Sequence, residues 1–195
     1  MAKKEVLMNG IVVGEVEATG DMEADAKTVR DFLREKGLLR DISTDDAMHG
    51  QANSFAGVAN DLYKKHLKES PYDGRFVAPF VVNAVFSVEL YLKTMLCLLN
   101  CEFRSHHLFK LYERLDDNTK SVFLSAADDI RPRYKLEDGV DVVICLESLC
   151  QAFEDWRYLY ERNNIRTEIQ SIRFAMHVSH EACCRIRGIA AELSA

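Results

Sequence analysis

The chain has 195 residues, a net charge of −6 at pH 7, 48% hydrophobic residues and 9% aromatic residues. This apolar content can bury a substantial core, which excludes a disordered chain, and the length fits one compact domain with a small appendage. Because the overall charge repels polyanions, contact with nucleic acid would require a local basic patch.

The beginning of the chain carries no basic segment followed by an apolar run and a cleavage site, so we predict a cytoplasmic protein. The six cysteines fall mostly inside predicted helices and would be reduced in the cytosol. Cys97 and Cys101 share one helix face, but no CxxC pair or matching histidine pair follows. We therefore interpret the cysteines as structural thiols and expect neither a metal nor a cofactor.

Residues 1–40 are predicted to form a ββα appendage. Asn9-Gly10 separates two short apolar runs, and both residues accept the positive φ of a type I′ hairpin turn. Asp21 follows as a cap for a helix whose apolar stripe contains Phe32, and Gly37 supplies its C-terminal stop. An isolated hairpin is marginally stable, so it must pack on a helix or on another chain.

Residues 41–195 are predicted to form an antiparallel helical bundle. Ser43-Thr44 and two following aspartates begin a helix that runs to about Lys68. Its predicted buried side consists of Phe55, Val58, Ala59 and Leu62.

The stretch from Pro79 to Asn100 is the most apolar run in the chain and is predicted to be the central helix. Glu89 and Lys93 lie near its middle, four residues apart, so they can pair on one face. In a bilayer each charge would cost roughly 2.5 to 3.5 kcal/mol, which disfavours a transmembrane helix.

The remaining chain also shows helical periodicity. A short helix is predicted after His107 and another from Asp116 to about Asp129, with a long loop around Pro132. Two longer helices follow, one from Val140 through Tyr160 and a last one from about Glu168 to Leu193. The fold class is therefore all-α, an antiparallel bundle with a small N-terminal ββα appendage.

Three stretches carry a family resemblance: SVELYLKTMLCLLN, SHHLFKLYERL and AFEDWRYLYE. Together they resemble the HEPN superfamily of small bacterial helical bundles. Glu89 and Lys93 match a family pattern reading xELxLKALL, and His107, Leu108 and Leu111 match one reading GHxLxxLxxxL. The resemblance covers roughly residues 45 to 190 and implies an HEPN-like bundle.

Many HEPN proteins are metal-independent ribonucleases, toxins of toxin-antitoxin pairs or phage-defence effectors, and they usually form dimers. The resemblance therefore implies a homodimer that binds RNA or a nucleotide, a possible antitoxin-like protein partner, and no membrane. Family active sites have an Arg, then four to six other residues, then a His. No His follows Arg157 or Arg162 at that spacing, and the alternative is Arg173 with His180.

Arg173, His177 and His180 are the candidate catalytic residues, since their spacing puts them on one helical face. An arginine that holds a phosphate and a histidine that moves the 2′-hydroxyl proton would suffice for metal-free RNA cleavage. The alternative interpretation is a polar stripe on an amphipathic helix near a bundle seam.

Glu89, Lys93, His107, Arg157 and Tyr158 are the candidate binding residues. Tyr158 and Arg157 could stack on bases, although packing explains the aromatic residues of this stretch better. His107 is expected to be a helix cap, and Glu89 with Lys93 a structural ion pair.

Two functions remain open at the level of sequence. One is an RNA-directed nuclease or defence effector that uses Arg173 and His180, with His177 as a further candidate. The other is a non-catalytic HEPN-like module that binds a protein or nucleotide partner, for which the missing standard motif and the hairpin edge are the evidence.

Overall fold

The computed structural model describes residues 2–39, 41–101, 104–137, 139–150 and 168–193. Over these ranges the protein is mostly helical, with a small antiparallel sheet of two strands at the N-terminal end. Internal contacts divide the chain into two compact units, Met1–Ile42 and Ser43–Ala195.

The first unit begins with the predicted hairpin, formed by strands β1 (Ala2–Met8) and β2 (Ile11–Ala18). Asn9 has φ 51° and Gly10 has φ 80°, as a type I′ turn requires. The strands extend beyond the apolar runs that predicted them because residues 2–5 pair with residues 15–18.

Helix α1 (Met22–Glu35) completes this unit. The Asp21 carboxylate accepts a hydrogen bond from a backbone N–H of the first turn, and Gly37, with φ 66°, follows the helix end. The ring of Phe32 lies so close to Gly14 that a Cβ there would collide with it. Helix and hairpin therefore pack through a position that only glycine can occupy without a shift.

The second unit begins with helix α2 (Thr44–Leu62), capped by Ser43 and followed by a π-helical turn, Tyr63–Leu67. Its buried face consists of Ala52, Ala56 and Ala59. The prediction that Val58 is buried is wrong, because this side chain is 49% exposed. Small alanines allow the close approach of α2 to the larger side chains of the next helix.

Helix α3 (Val77–Leu98) is the core helix, and it packs against both α2 and the C-terminal helix. It begins two residues earlier than predicted, because Pro79 is tolerated in a first turn, where its missing N–H has no partner to lose. Among the described helices it is the one long and apolar enough to cross a membrane, but 67% of its apolar window is buried inside the protein. Burial of this extent is typical of the core helix of a soluble protein.

Four further described helices complete the unit: α4 (Leu108–Glu113), α5 (Asp117–Ile130), α6 (Val142–Ser148) and α7 (Ile169–Leu193). Helix α7 packs against α3, α5 and α6. Its predicted apolar residues Ile172, Met176 and Cys183 are all fully buried. The described part of the predicted helix from Val140 ends at Ser148, and the remainder of that prediction lies outside the described residues.

Candidate functional site

Helices α2 and α7 meet along a line of polar contacts, which we call the polar seam. Residues that come later in α2 contact residues that come earlier in α7, so the two helices run antiparallel. The seam consists of Asp45 and Asp46 with Arg187, His49 with His180 and Cys184, Asn60 with His177, and Tyr63 with Gln170 and Arg173. Since α3 contributes mainly apolar side chains to the core, the polar contacts between α2 and α7 form a distinct cluster of side chains in this unit.

Arg173 lies at one end of the seam. Its guanidinium carbon is 3.7 Å from the centroid of the Tyr63 ring and 5.4 Å from that of Tyr134. Nη1 donates to Oε1 of Gln170 at 3.3 Å, while Nε is buried without a hydrogen-bond partner among the described residues. The stacking holds the guanidinium between aromatic rings, which removes it from the seam's cavity.

His177 has partners at both ring nitrogens. Nε2 lies 3.2 Å from Oδ1 of Asn60, and Nδ1 forms a hydrogen bond with the hydroxyl of Tyr134. Because the amide oxygen can only accept, this network places the ring proton on Nε2. Burial, and then the positive charge of Arg173, lowers the pKa of His177 to about 4, so the ring is neutral at pH 7.

His180 stacks against His49, with ring centroids 6.5 Å apart and an interplanar angle of 18°. The Tyr91 ring meets His180 edge-on at 5.4 Å. Nε2 of His180 lies 3.6 Å from Sγ of Cys184, and Nε2 of His49 lies 3.9 Å from the same sulfur. Burial lowers the pKa of His49, and the charge of Arg187 lowers it further.

A cavity of about 340 Å³ opens along the seam. Its polar lining consists of Asn53, Asn60, Tyr91, His177 and His180. The Tyr91 hydroxyl donates to Oδ1 of Asn53 at 2.7 Å, and burial raises the pKa of Tyr91. Among the described residues the lining contains no Asp, Glu, Lys or Arg, so the cavity suits an uncharged ligand that can form hydrogen bonds.

Two of the three candidate catalytic residues, His177 and His180, line this cavity, and Arg173 lies beside it in the seam. Sequence reasoning missed His49, Asn53 and Asn60. These three are spaced i, i+4 and i+11 on α2, which places them on one helical face. The polar stripe is visible in the sequence and could have indicated a site. Only the structure shows that α7 lies opposite the stripe and contacts it.

The three described candidate binding residues, Glu89, Lys93 and His107, lie away from this cavity. Oε1 of Glu89 accepts from Nζ of Lys93 at 2.7 Å and lies 3.0 Å from Nδ1 of His106, with the Glu89 side chain only 3% exposed. His107 caps α4, because its Nδ1 accepts from a backbone N–H of the first turn at 3.4 Å. Arg157 and Tyr158 lie outside the described residues.

In the described part of the chain, no group of three or more His, Cys, Asp or Glu side chains is arranged to hold a metal ion, and this includes the surroundings of Cys184. Comparison of the chain with protein-family models, with curated proteins and with solved structures finds no significant match. The functional argument therefore rests on the chemistry of the residues themselves.

Proposed function

We propose that this chain is an HEPN-like, RNA-linked protein that binds the base of a nucleotide, free or within RNA, in the cavity of the polar seam. The observation that carries the proposal is the uncharged polar lining of that cavity. Its volume of about 340 Å³ falls at the small end of the range of about 300 to 1,000 Å³ that small-molecule sites occupy.

The side chains of the cavity match the chemistry of a nucleobase. Each asparagine presents a carbonyl and an NH₂ group, and Asn60 has no partner for its NH₂ among the described residues. The imidazole of His180 lies in the lining, and an aromatic ring is the kind of group on which bases stack. Since no described lining residue carries a fixed positive charge, the neutral base fits the cavity better than a phosphate does.

Gly57 provides the sharpest test, because it lines the cavity, is exposed, and has open space where a Cβ would stand. Gly57→Leu should fill the mouth of the cavity without disturbing the core. Gly50→Leu is the matched control, since Gly50 is an exposed glycine of the same helix that does not line the cavity.

The measurement is calorimetric titration of the wild type and both variants with nucleosides and a short single-stranded RNA. We expect Gly57→Leu to weaken binding at least ~10-fold and Gly50→Leu to leave it unchanged. Equal binding by the two variants, or no binding by the wild type, would contradict the proposal.

The second candidate is metal-independent RNA cleavage, favoured by the pairing of His49 with His180. Two imidazoles on facing helices can divide the work: an unprotonated ring accepts the proton of the 2′-hydroxyl, and a protonated ring donates a proton to the leaving oxygen. The stacked position of Arg173 makes it a positioning residue in this scheme.

RNA degradation in the presence of EDTA tests this second candidate. His180→Ala and His49→Ala should each lower the rate by about 10²-fold or more, and Arg173→Ala by less. His66→Ala, a histidine outside the seam, is the control. Equal residual rates in all variants would eliminate this site, whereas no activity in any protein would leave the binding function alone. Growth arrest on expression is a companion test of a toxin or defence role.

The remaining parts of the proposal follow from the family resemblance. They are a homodimer, an antitoxin-like protein partner and a role in phage defence. Light scattering that gave a monomer at micromolar concentration would contradict the dimer.

A further inference from the structure

A second cavity, of about 670 Å³, lies between the N-terminal part of α2, the C-terminal part of α3 and the loop that follows α3. It shares no lining residue with the cavity of the polar seam. Three basic side chains line it, Lys93, Arg104 and His106, and we call it the cationic cavity.

One described carboxylate contacts these basic groups. Glu89 is buried beneath Lys93 and His106 and accepts from both. Arg104 is exposed and forms neither a hydrogen bond nor an ion pair with any described residue. Among the described residues, the Glu89 charge balances Lys93, and no carboxylate pairs with the guanidinium of Arg104. In a protein of net charge −6, this is a local positive site.

The geometry around Glu89 pre-arranges the other two basic groups. Because Glu89 is nearly inaccessible, its carboxylate holds Lys93 Nζ and His106 Nδ1 at fixed positions, which lowers the entropy lost when a ligand binds. The His106 side chain is 81% exposed, so its other nitrogen, Nε2, remains accessible. Hydroxyl groups of Thr44 and Ser105 also line the cavity and can donate to an anion.

We propose that the cationic cavity binds a phosphoryl group, with Arg104 as its main charge partner and Lys93 and His106 as supporting donors. A guanidinium presents a planar fork of donors that matches phosphate oxygens, and it is never deprotonated in proteins. The phosphoryl group can belong to a free phosphorylated small molecule or to the backbone of RNA. The site does not depend on base binding in the polar seam.

The test titrates the full chain with inorganic phosphate, with AMP and with a short single-stranded RNA. Arg104→Gln should weaken phosphate binding at least ~10-fold, and Lys93→Met should also weaken it. Lys65→Met is the control, since Lys65 is an exposed lysine of the same unit that pairs with Asp61. Thermal melts of each variant verify that it is folded.

The outcomes distinguish the two possible sources of the phosphoryl group, and they distinguish the cationic cavity from the cavity of the polar seam. Phosphate and AMP binding without RNA binding assigns the site to a free phosphorylated ligand. If RNA binds, the slope of log affinity against log salt concentration should become shallower by about one in Arg104→Gln. That result assigns the site to the RNA backbone. Gly57→Leu should leave phosphate binding unchanged even if the base site fails. Equal phosphate affinity in wild type and Arg104→Gln, or no phosphate binding at all, would overturn the proposal.

Discussion

The two cavities of the helical unit share α2 and α3 as walls but differ in charge. In the part of the chain that the structure describes, no Asp, Glu, Lys or Arg lines the polar-seam cavity, whereas Lys93, Arg104 and His106 line the cationic cavity. The difference is clearest in two histidines. His177 is enclosed between Tyr134 and Asn60, and burial depresses its pKa, while His106 is exposed and lies beside a carboxylate.

This contrast shows how one bundle can present two chemistries. Where α7 packs over α2, burial at a low dielectric constant disfavours charge and keeps the imidazole of His177 neutral. Where a loop leaves α3 open, one buried carboxylate can support basic groups at the surface. The lining residue types set the charge of each cavity, and packing keeps the buried His177 neutral.

The largest expected effect concerns the support of the cationic cavity. Glu89→Ala should lower the free energy of unfolding by about 3 kcal/mol, because Lys93 would keep its charge at a largely buried position without a partner. Urea denaturation measures the loss. The double variant Glu89→Ala/Lys93→Met should recover part of it. A double variant no more stable than Glu89→Ala would argue against the ion pair as the cause.

The next effect concerns the neutral cavity and depends on pH. The folded-state pKa of His177 is about 4, below the ordinary value of 6.5. The unfolded chain therefore binds a proton more readily, so the stability due to His177 is complete above pH 6.5 and declines as pH falls towards 4. We expect a loss of about 2 to 3 kcal/mol over this window.

His177→Gln tests this effect, because the amide cannot titrate. The variant should be less stable than wild type at pH 7 but show a shallower decline between pH 6.5 and 4.5 in urea denaturation. The lowered pKa of His49 acts in the same direction and leaves a residual slope. Parallel pH profiles for the two proteins would show that His177 is not the titrating group.

A smaller effect is expected at the charged end of the polar seam. Nη1 of Arg187 lies 3.0 Å from Oδ2 of Asp45, and the same guanidinium contacts Asp46. Arg187→Gln should lower the unfolding free energy by about 1 kcal/mol, and less at high salt. The exposed Lys65–Asp61 pair is the comparison, since Lys65→Gln should change stability by less than about 0.5 kcal/mol.

The smallest effect is a gain in stability. Gly50 and Gly57 lie inside α2, and a Cβ at either position meets open space. Gly50→Ala and Gly57→Ala should each raise the unfolding free energy by about 0.5 to 1 kcal/mol, because glycine loses more backbone entropy in a helix. Thermal melts measure both gains. A loss of stability in Gly57→Ala alone would indicate that the cavity wall does not tolerate a side chain at this position.

Much of the local structure was accessible from the sequence because it depends on residues close in the chain. The Asn9-Gly10 turn, the Ser43 and Asp116 caps and the Glu89–Lys93 pair each involve residues at most four positions apart. The prediction that Val58 is buried was wrong because helical periodicity identifies an apolar stripe but does not fix which edge of the stripe faces the neighbouring helix.

Patterns of residues close in the chain predicted most of the described helices, most of their starting points and the central position of α3. The two cavities depend on how distant segments pack together. Asn60 and His177 meet across a sequence separation of 117 residues, and Arg187 reaches Asp45 across 142. Capping and turn energies act within a few residues, whereas the rotation and register of α7 against α2 follow from how all the helices pack around α3. That packing places His177 and His180 in a neutral cavity and leaves Arg173 between two tyrosine rings.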